Sequence, residues 1–342
     1  MIGAEDRLEN DGKFIRGLFE KIKVNISPHK VRLVNSGDHY DDYQVRDDKG
    51  RPLKIKISFE KGNPTLKKES ANLKAAQSPA CGHWLRAGDI KLGDEFSYLL
   101  YAFPPSESIR EIGRSTLITE ADALFGSYAR FQQTKSLKKH YKTIFKETTE
   151  KFNIQKTLSP KEKQRVNAYT NYKSLESLSI AFKNEALDLL PTVEPSQRAK
   201  CHGKLSLDSI FFNGNNFYFD HLSDNSMGHP FVDFIELILE SGFGRQYEKD
   251  LLPLFCSCTD TQLDKRLYHM LYESLLRKKL VELIGTYIYE VYLFKSYRID
   301  KILNVADTFS QCYNRFRVIP LFEENRDFIL KTLTEPLLGV KA

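Results

Sequence analysis

Residues 201–233 read CHGKLSLDSIFFNGNNFYFDHLSDNSMGHPFVD, and the fold turns on how this stretch divides. Ile210, Phe211 and Phe212 form one apolar triplet, Phe217, Tyr218 and Phe219 form another, and Asn213-Gly214 lies between them. Asn-Gly favours the positive-φ backbone of tight hairpins, so the pattern predicts two short antiparallel strands joined by a turn. Asp220 follows the second strand directly, where its carboxylate can point beyond the sheet edge. His202-Gly203 opens the stretch, and Gly228, Pro230 and Asp233 close it. An apolar helical run follows through Phe234, Ile235, Leu237, Ile238 and Leu239, with Ser241-Gly242 as its stop signal.

This order of residues resembles the catalytic core of the aminoglycoside phosphotransferase and choline kinase branch of the protein-kinase-like fold. The family's core reads His-Gly-Asp, four residues, Asn, a hairpin, an Asp that binds magnesium, then Gly-Asp-Pro and a further Asp. His202, Gly203, Asp220, Gly228, Pro230 and Asp233 match it. Lys204 stands at the catalytic Asp, Ser209 at the metal-binding Asn, and His229 at the acidic residue of Gly-Asp-Pro. The resemblance implies a two-lobed α+β protein. Residues 1–29 would be a helical lead, 30–103 a small antiparallel nucleotide-binding lobe, and 104–342 a larger, mostly helical lobe carrying the segment 201–233. It also implies ATP and Mg2+ as ligands, Asp220 as the metal residue, and His202 and Asp233 as structural braces of the catalytic loop.

Upstream, Phe14, Ile15, Leu18, Phe19 and Ile22 fall at helical spacing after a polar lead, and Pro28 ends that helix. Strand patterns follow at 31–34, 43–45 and 53–57, separated by turn residues. In the last of these, Leu53, Ile55 and Ile57 alternate with Lys54 and Lys56, which therefore share one face. A helix over 65–77 carries Glu69. In the family a strand lysine holds the α- and β-phosphates and a helix glutamate positions it. The resemblance assigns these roles to Lys56 and Glu69, with Lys54 as the alternative lysine. A solvated strand face bearing two lysines is the reading without a ligand. Gly37 is the only glycine in the turn that would cradle phosphate. Residues 96–103 read as a buried strand, and Pro104-Pro105 follows where relatives have the hinge that contacts adenine. A helix over 119–133, a helical insertion over 134–194, and aromatic-rich core helices over 250–338 complete the chain.

At 342 residues the chain is long enough for two domains or one two-lobed domain with a sizeable core. No stretch approaches the roughly 20 consecutive apolar residues of a membrane span. The five cysteines are odd in number and scattered, which fits reduced thiols in a cytoplasmic protein. A net charge of +6 arises from dispersed basic residues with no nucleic-acid recognition motif, so no nucleic-acid partner is expected. Short basic runs such as Arg277-Lys278-Lys279 read as solvated helix faces.

The substitutions at the core motif change its chemistry. A carboxylate accepts a proton from an acceptor hydroxyl, whereas a lysine ammonium is already protonated at neutral pH. Loss of a positioned general base typically costs ~10²–10⁴ in rate. Ser209 offers a hydroxyl where an amide carbonyl would serve a hard cation better. Lys204 is expected to pair with Asp220 at the place of the magnesium. Asp208, the other nearby carboxylate, is offset four residues from the family's base position. The leading expectation is a pseudokinase that acts by binding or regulation, with a small-molecule or protein partner. Two alternatives are an active ATP-dependent phosphotransferase on a small molecule or saccharide, and a nucleotidyl transferase.

Overall fold

A computed structural model describes residues 4–26, 31–36, 40–76, 78–92, 94–133, 140–143, 145–146, 159–166, 170–293 and 299–339. The chain forms two compact units that alternate along the sequence, Met1–Leu137 with Asp208–Asn225, and Lys138–Leu207 with Ser226–Ala342. One is built on an antiparallel sheet and the other is mostly helical, a two-lobed α+β architecture. The hairpin and Asp220 belong to the sheet unit, although in sequence they lie amid the helical one.

In the sheet unit, helix α1 (Ala4–Lys21) precedes strands β1 (Arg32–Ser36), β2 (Asp41–Arg46) and β3 (Pro52–Ser58). The helix starts earlier than its apolar stripe, so the polar lead is itself largely helical. Helix α2 (Pro64–Ala76) follows, then β4 (His83–Leu92) and β5 (Asp94–Ala102). The five strands order as β1-β2-β3-β5-β4, all neighbours antiparallel. Strand β4 escapes the sequence patterns because Arg86, Asp89 and Lys91 interrupt its apolar residues and none of residues 83–91 is buried.

One face of this sheet buries Tyr43, Val45, Leu53, Ile55, Ile57, Phe96, Tyr98 and Leu100 against Ile15, Leu18, Phe19 and Ile22 at the end of α1. Each fully buried side chain of this size contributes about 1.5–3 kcal/mol, so α1 is an integral layer of the unit. The pleat sends Lys54 and Lys56 to the opposite face, where both are completely buried. That corrects the reading of a solvated lysine face: another layer covers it.

The covering layer includes the hairpin, β7 (Ile210–Phe212) and β8 (Phe217–Phe219), extended by the short β6 (Glu107–Ser108). Its register pairs Ile210 with Phe219 and Phe212 with Phe217. Asn213 shapes the turn through its side-chain oxygen, which accepts from the backbone N–H groups of Asn215 and Asn216, and Gly214 takes φ +92°. The Phe219 N–H donates to the Ala80 carbonyl at 2.8 Å, anchoring the second strand where Asp220 begins.

The helical unit is organised by the long helix Lys265–Ile288, which packs against Thr170–Leu189, Phe231–Ser241 and Ile299–Phe316. Phe231–Ser241 ends on Gly242 in the left-handed conformation, as its stop signal predicts. Lys278 and Lys279 are buried here, against the expectation of a solvated basic face. Lys278 pairs with Glu236 at 2.6 Å and Glu282 at 3.1 Å, and Lys279 pairs with Glu240 at 2.5 Å. None of the five cysteines is joined in a disulfide. Among the described residues no helix is long and apolar enough to cross a membrane.

Candidate functional site

The site grows out of strand register. In β3, Lys54 lies opposite Gln44 of β2 and Tyr101 of β5, while Lys56 lies opposite Asp42 and Leu99. Two lysines two residues apart on one pleat send parallel ammonium groups into the same layer. Glu69 comes from the buried side of α2 and meets Lys56 at 2.5 Å. The Lys56–Glu69 pair that the family resemblance implies is therefore formed.

Asp220 completes the cluster. Its Oδ1 accepts from Lys56 at 2.9 Å, from the Tyr101 hydroxyl at 3.0 Å and from the His221 backbone N–H at 2.8 Å. Its Oδ2 accepts from Lys54 at 2.8 Å, and the Tyr101 hydroxyl is also 2.9 Å from this oxygen. His221 takes a left-handed φ of 59°, uncommon for a residue with a side chain, and this turns its N–H back onto Asp220. The cations opposite Asp220 are thus Lys54 and Lys56. The expectation gave that role to Lys204, whose side chain is exposed.

The electrostatics follow from burial and pairing. Burial pushes the Asp220 carboxyl up, but Lys54 and Lys56 outweigh it and hold the group well below the usual carboxylate range. Burial also raises Glu69, and Lys56 only partly offsets this, leaving it at about 6. Asp42 is likewise raised by burial against the pull of Lys54, which is 3.5 Å away. The Oδ1 of Asp42 is buried with no hydrogen-bond partner.

Aromatic rings close the cluster. Lys54 Nζ lies 3.7 Å from the Phe211 ring centroid and 4.4 Å from that of Phe103, and these two rings meet edge-on. Lys56 Nζ lies 5.1 Å from the Tyr40 ring and 5.5 Å from that of Tyr101. Tyr40 in turn stacks on His221, and its hydroxyl is 2.7 Å from His221 Nδ1. Tyr40, Asp42, Tyr101, Phe103 and Phe211 were not singled out as site residues in the sequence. Only the phase of the strand alternation carries a signal for Asp42 and Tyr101, which sit opposite the lysines.

The family resemblance places magnesium on Asp220, and the donor set tests that. Asp42, Asp220 and His221 offer ligand atoms within 4.8 Å of one another. An ionised carboxylate has about four lone-pair positions, however, and ammonium, phenol and amide donors already use those of Asp220. Asp220 as arranged has no lone pair left for a resident magnesium ion, whereas Asp42 keeps one oxygen without a donor.

The remaining candidates lie elsewhere in the chain. Ser209 is buried, and its carbonyl accepts from the Asp220 N–H at 2.9 Å. Asp208 pairs with Arg110 at 2.5 Å. In the helical unit Asp233, fully buried, accepts from the backbone N–H groups of His202 at 2.5 Å and Gly203 at 2.8 Å. Gly203 takes φ 84° in this turn. Gly228 is required on packing grounds, because a Cβ there would come within 2.8 Å of Tyr141. Lys204 acts at a distance on buried carboxylates: burial raises Glu282, but Lys278, Lys279 and Lys204 together hold it at about 2. His229 is buried, which lowers it to about 4 and keeps the imidazole neutral, and its Nδ1 accepts from the Phe231 N–H. Gly37 lies outside the described residues.

No protein-family model and no curated protein matches the sequence. Solved structures do match the fold. Amicoumacin kinase hAmiN, in complex with AMP-PNP, Ca2+ and Ami, superposes with a TM-score of 0.60 at 11% identity, covering 90% of this chain and 94% of that one. A choline kinase from Streptococcus pneumoniae gives 0.56 at 15% identity, covering 88% and 99%. A microcompartment-associated aminopropanol kinase gives 0.55 at 12% identity, covering 87% and 95%. The chain shares the fold of the aminoglycoside phosphotransferases and choline kinases over nearly its whole length.

Proposed function

We propose that this chain is a pseudokinase, a protein of the phosphotransferase fold that acts by binding or regulation and does not transfer phosphate. The observation that carries this reading is the state of Asp220. In a phosphotransferase this carboxylate holds magnesium against the phosphates. Here two buried lysines, a tyrosine hydroxyl and a backbone amide engage its oxygens. With Lys204 at the position of the general base, the chain has neither a free metal carboxylate nor a proton acceptor where the chemistry needs them. On this reading Mg2+ is not required at Asp220, and the partner is a small molecule, a nucleotide included, or a protein. Free thiols fit a reducing, cytoplasmic setting.

A specific observation favours a second reading, an active ATP-dependent phosphotransferase on a small molecule or saccharide. The Lys56–Glu69 pair is formed at 2.5 Å, the arrangement that positions a phosphate-binding lysine, and the fold neighbours are small-molecule kinases. Phosphorus NMR of Mg·ATP incubated with the protein, alone and with amino alcohols, choline, aminoglycosides and simple sugars, separates the two. The pseudokinase reading expects no ADP or AMP above the protein-free blank. Formation of ADP that stops in Asp220→Asn would overturn it, and formation of AMP would point to nucleotidyl transfer.

A further inference from the structure

The helical unit holds an open groove of about 300 Å3, and none of its lining residues belongs to the Lys54–Lys56–Asp220 cluster. The buried Leu190 and Leu271 and the half-buried Met227 give it an apolar floor. The exposed His140, Lys142 and Thr192 stand at its rim. Backbone pairing fixes Met227 on two sides, with Lys200 of the strand Ala199–Cys201 and with His140. That second pairing brings the basic residues of 140–143 to a floor built far along the chain.

The charge around this groove is one-sided. No aspartate or glutamate lines it, and among the described residues no carboxylate pairs with His140, Lys142 or Arg198. Arg198 is also oriented in advance. Its Nε and Nη2 both donate to the Val193 carbonyl, at 2.9 Å and 2.7 Å, and Val193 and Arg198 both line the groove. A guanidinium has five N–H donors, so both on Nη1 and the second on Nη2 remain. Together these form the flat, two-pronged edge that a carboxylate accepts in parallel. A side chain already held in place loses little further freedom when it binds, which separates Arg198 from a freely solvated surface cation.

We propose that this groove is a binding site for a small amphipathic carboxylate, its anionic head on Arg198 and its apolar chain along Leu190, Met227 and Leu271. Lys142 and His140 add positive charge beside the head, and the unbranched thioether of Met227 adapts to the chain. At roughly 30 Å3 per methylene- or water-sized group, the groove holds on the order of ten such groups. A straight-chain acid of about eight carbons has that size. The site lies outside the Asp220 cluster, so it stands whether or not the chain transfers phosphate.

Met227 makes the test local. It is one of three methionines, so methyl-labelled methionine gives few NMR signals, and Met227→Leu assigns the one that matters. The full chain is titrated with octanoate, hexanoate and octylammonium. Octanoate is expected to shift the Met227 methyl signal saturably, with Kd on the order of 1 mM or below. Hexanoate, two methylenes shorter, should bind roughly four- to sixteenfold more weakly. Octylammonium, with the same chain and the opposite charge, should bind at least about tenfold more weakly than octanoate. Arg198→Met keeps the stem without the fork and should also weaken octanoate at least about tenfold. Where a lowered melting temperature shows that Arg198→Met disturbs the fold, Lys142→Met with His140→Gln carries the comparison, with a loss of roughly threefold. An unmoved Met227 signal at about 10 mM octanoate overturns the proposal. So does octylammonium that binds as well as octanoate, which would leave an unselective apolar groove. A folded Arg198→Met, or the double variant in its place, that binds octanoate as tightly as wild type overturns it too.

Discussion

Replacing Asp220 with asparagine separates a structural ion cluster from a metal site. The carboxylate is about 2% exposed and accepts from two ammonium groups that are themselves completely buried. An asparagine keeps one acceptor oxygen and turns an NH2 group toward one of those lysines. Breaking a buried pair by removing one partner costs about 3–5 kcal/mol. Each lysine keeps a second carboxylate, Glu69 at 2.5 Å for Lys56 and Asp42 at 3.5 Å for Lys54, which places the expected loss at the low end. At about 2–4 °C of melting temperature per kcal/mol for a unit of this size, ~3 kcal/mol lowers the midpoint by roughly 6–12 °C. Differential scanning calorimetry, with the transition of each unit resolved, reads this directly. A carboxylate kept free for a metal would behave otherwise, since its removal relieves strain or leaves stability unchanged. A variant that melts within about 2 °C of wild type would refute the assignment of Asp220 to the lysine clamp.

Three further outcomes follow from the geometry. Lys278→Met, which removes the 2.6 Å partner of Glu236 and leaves Glu282 with Lys279 at 3.9 Å, should destabilise the helical unit by about 3 kcal/mol in urea unfolding; a loss below ~1 kcal/mol would mean water reaches these carboxylates. Asp233→Asn should cost about 1.5–3 kcal/mol through the weakened bonds to the His202 and Gly203 amides, and unchanged stability would show that the loop is braced by other groups. His229 sets a pH dependence: burial lowers its folded value to about 4 from an ordinary 6.5, so the unfolded chain binds more protons between these limits. Its contribution is fully present above pH ~6.5 and lost as the pH falls toward ~4, so His229→Gln should flatten the stability profile in that window. An unchanged slope in the variant would assign the effect to another group.

Part of this was legible in the sequence because the signals are local. Asn213-Gly214 between two apolar triplets fixes a hairpin, and alternation in β3 puts Lys54 and Lys56 on one face. The pairing of Glu69 with Lys56 is implied by the family resemblance and not by a local pattern. Alternation says nothing about what covers a face, so the burial of both lysines could not be read from it. Asp220 reaches them across more than 160 residues of chain, a pairing no local pattern encodes. The choice of Lys204 as its cation followed from motif position alone. Lys278 and Lys279 were misread for a related reason. Three basic residues in a row look solvated until Glu236 and Glu240 on the apolar helix Phe231–Ser241, four residues apart, are seen as a complementary pair of charges.

The most direct test is calorimetric titration of wild type with ATP, with and without Mg2+. With Asp220 clamped by Lys54 and Lys56, no heat that depends on Mg2+ is expected up to millimolar ATP. Micromolar binding that requires Mg2+ and disappears in Asp220→Asn would contradict the account, because it would show that carboxylate free to hold a metal against phosphate.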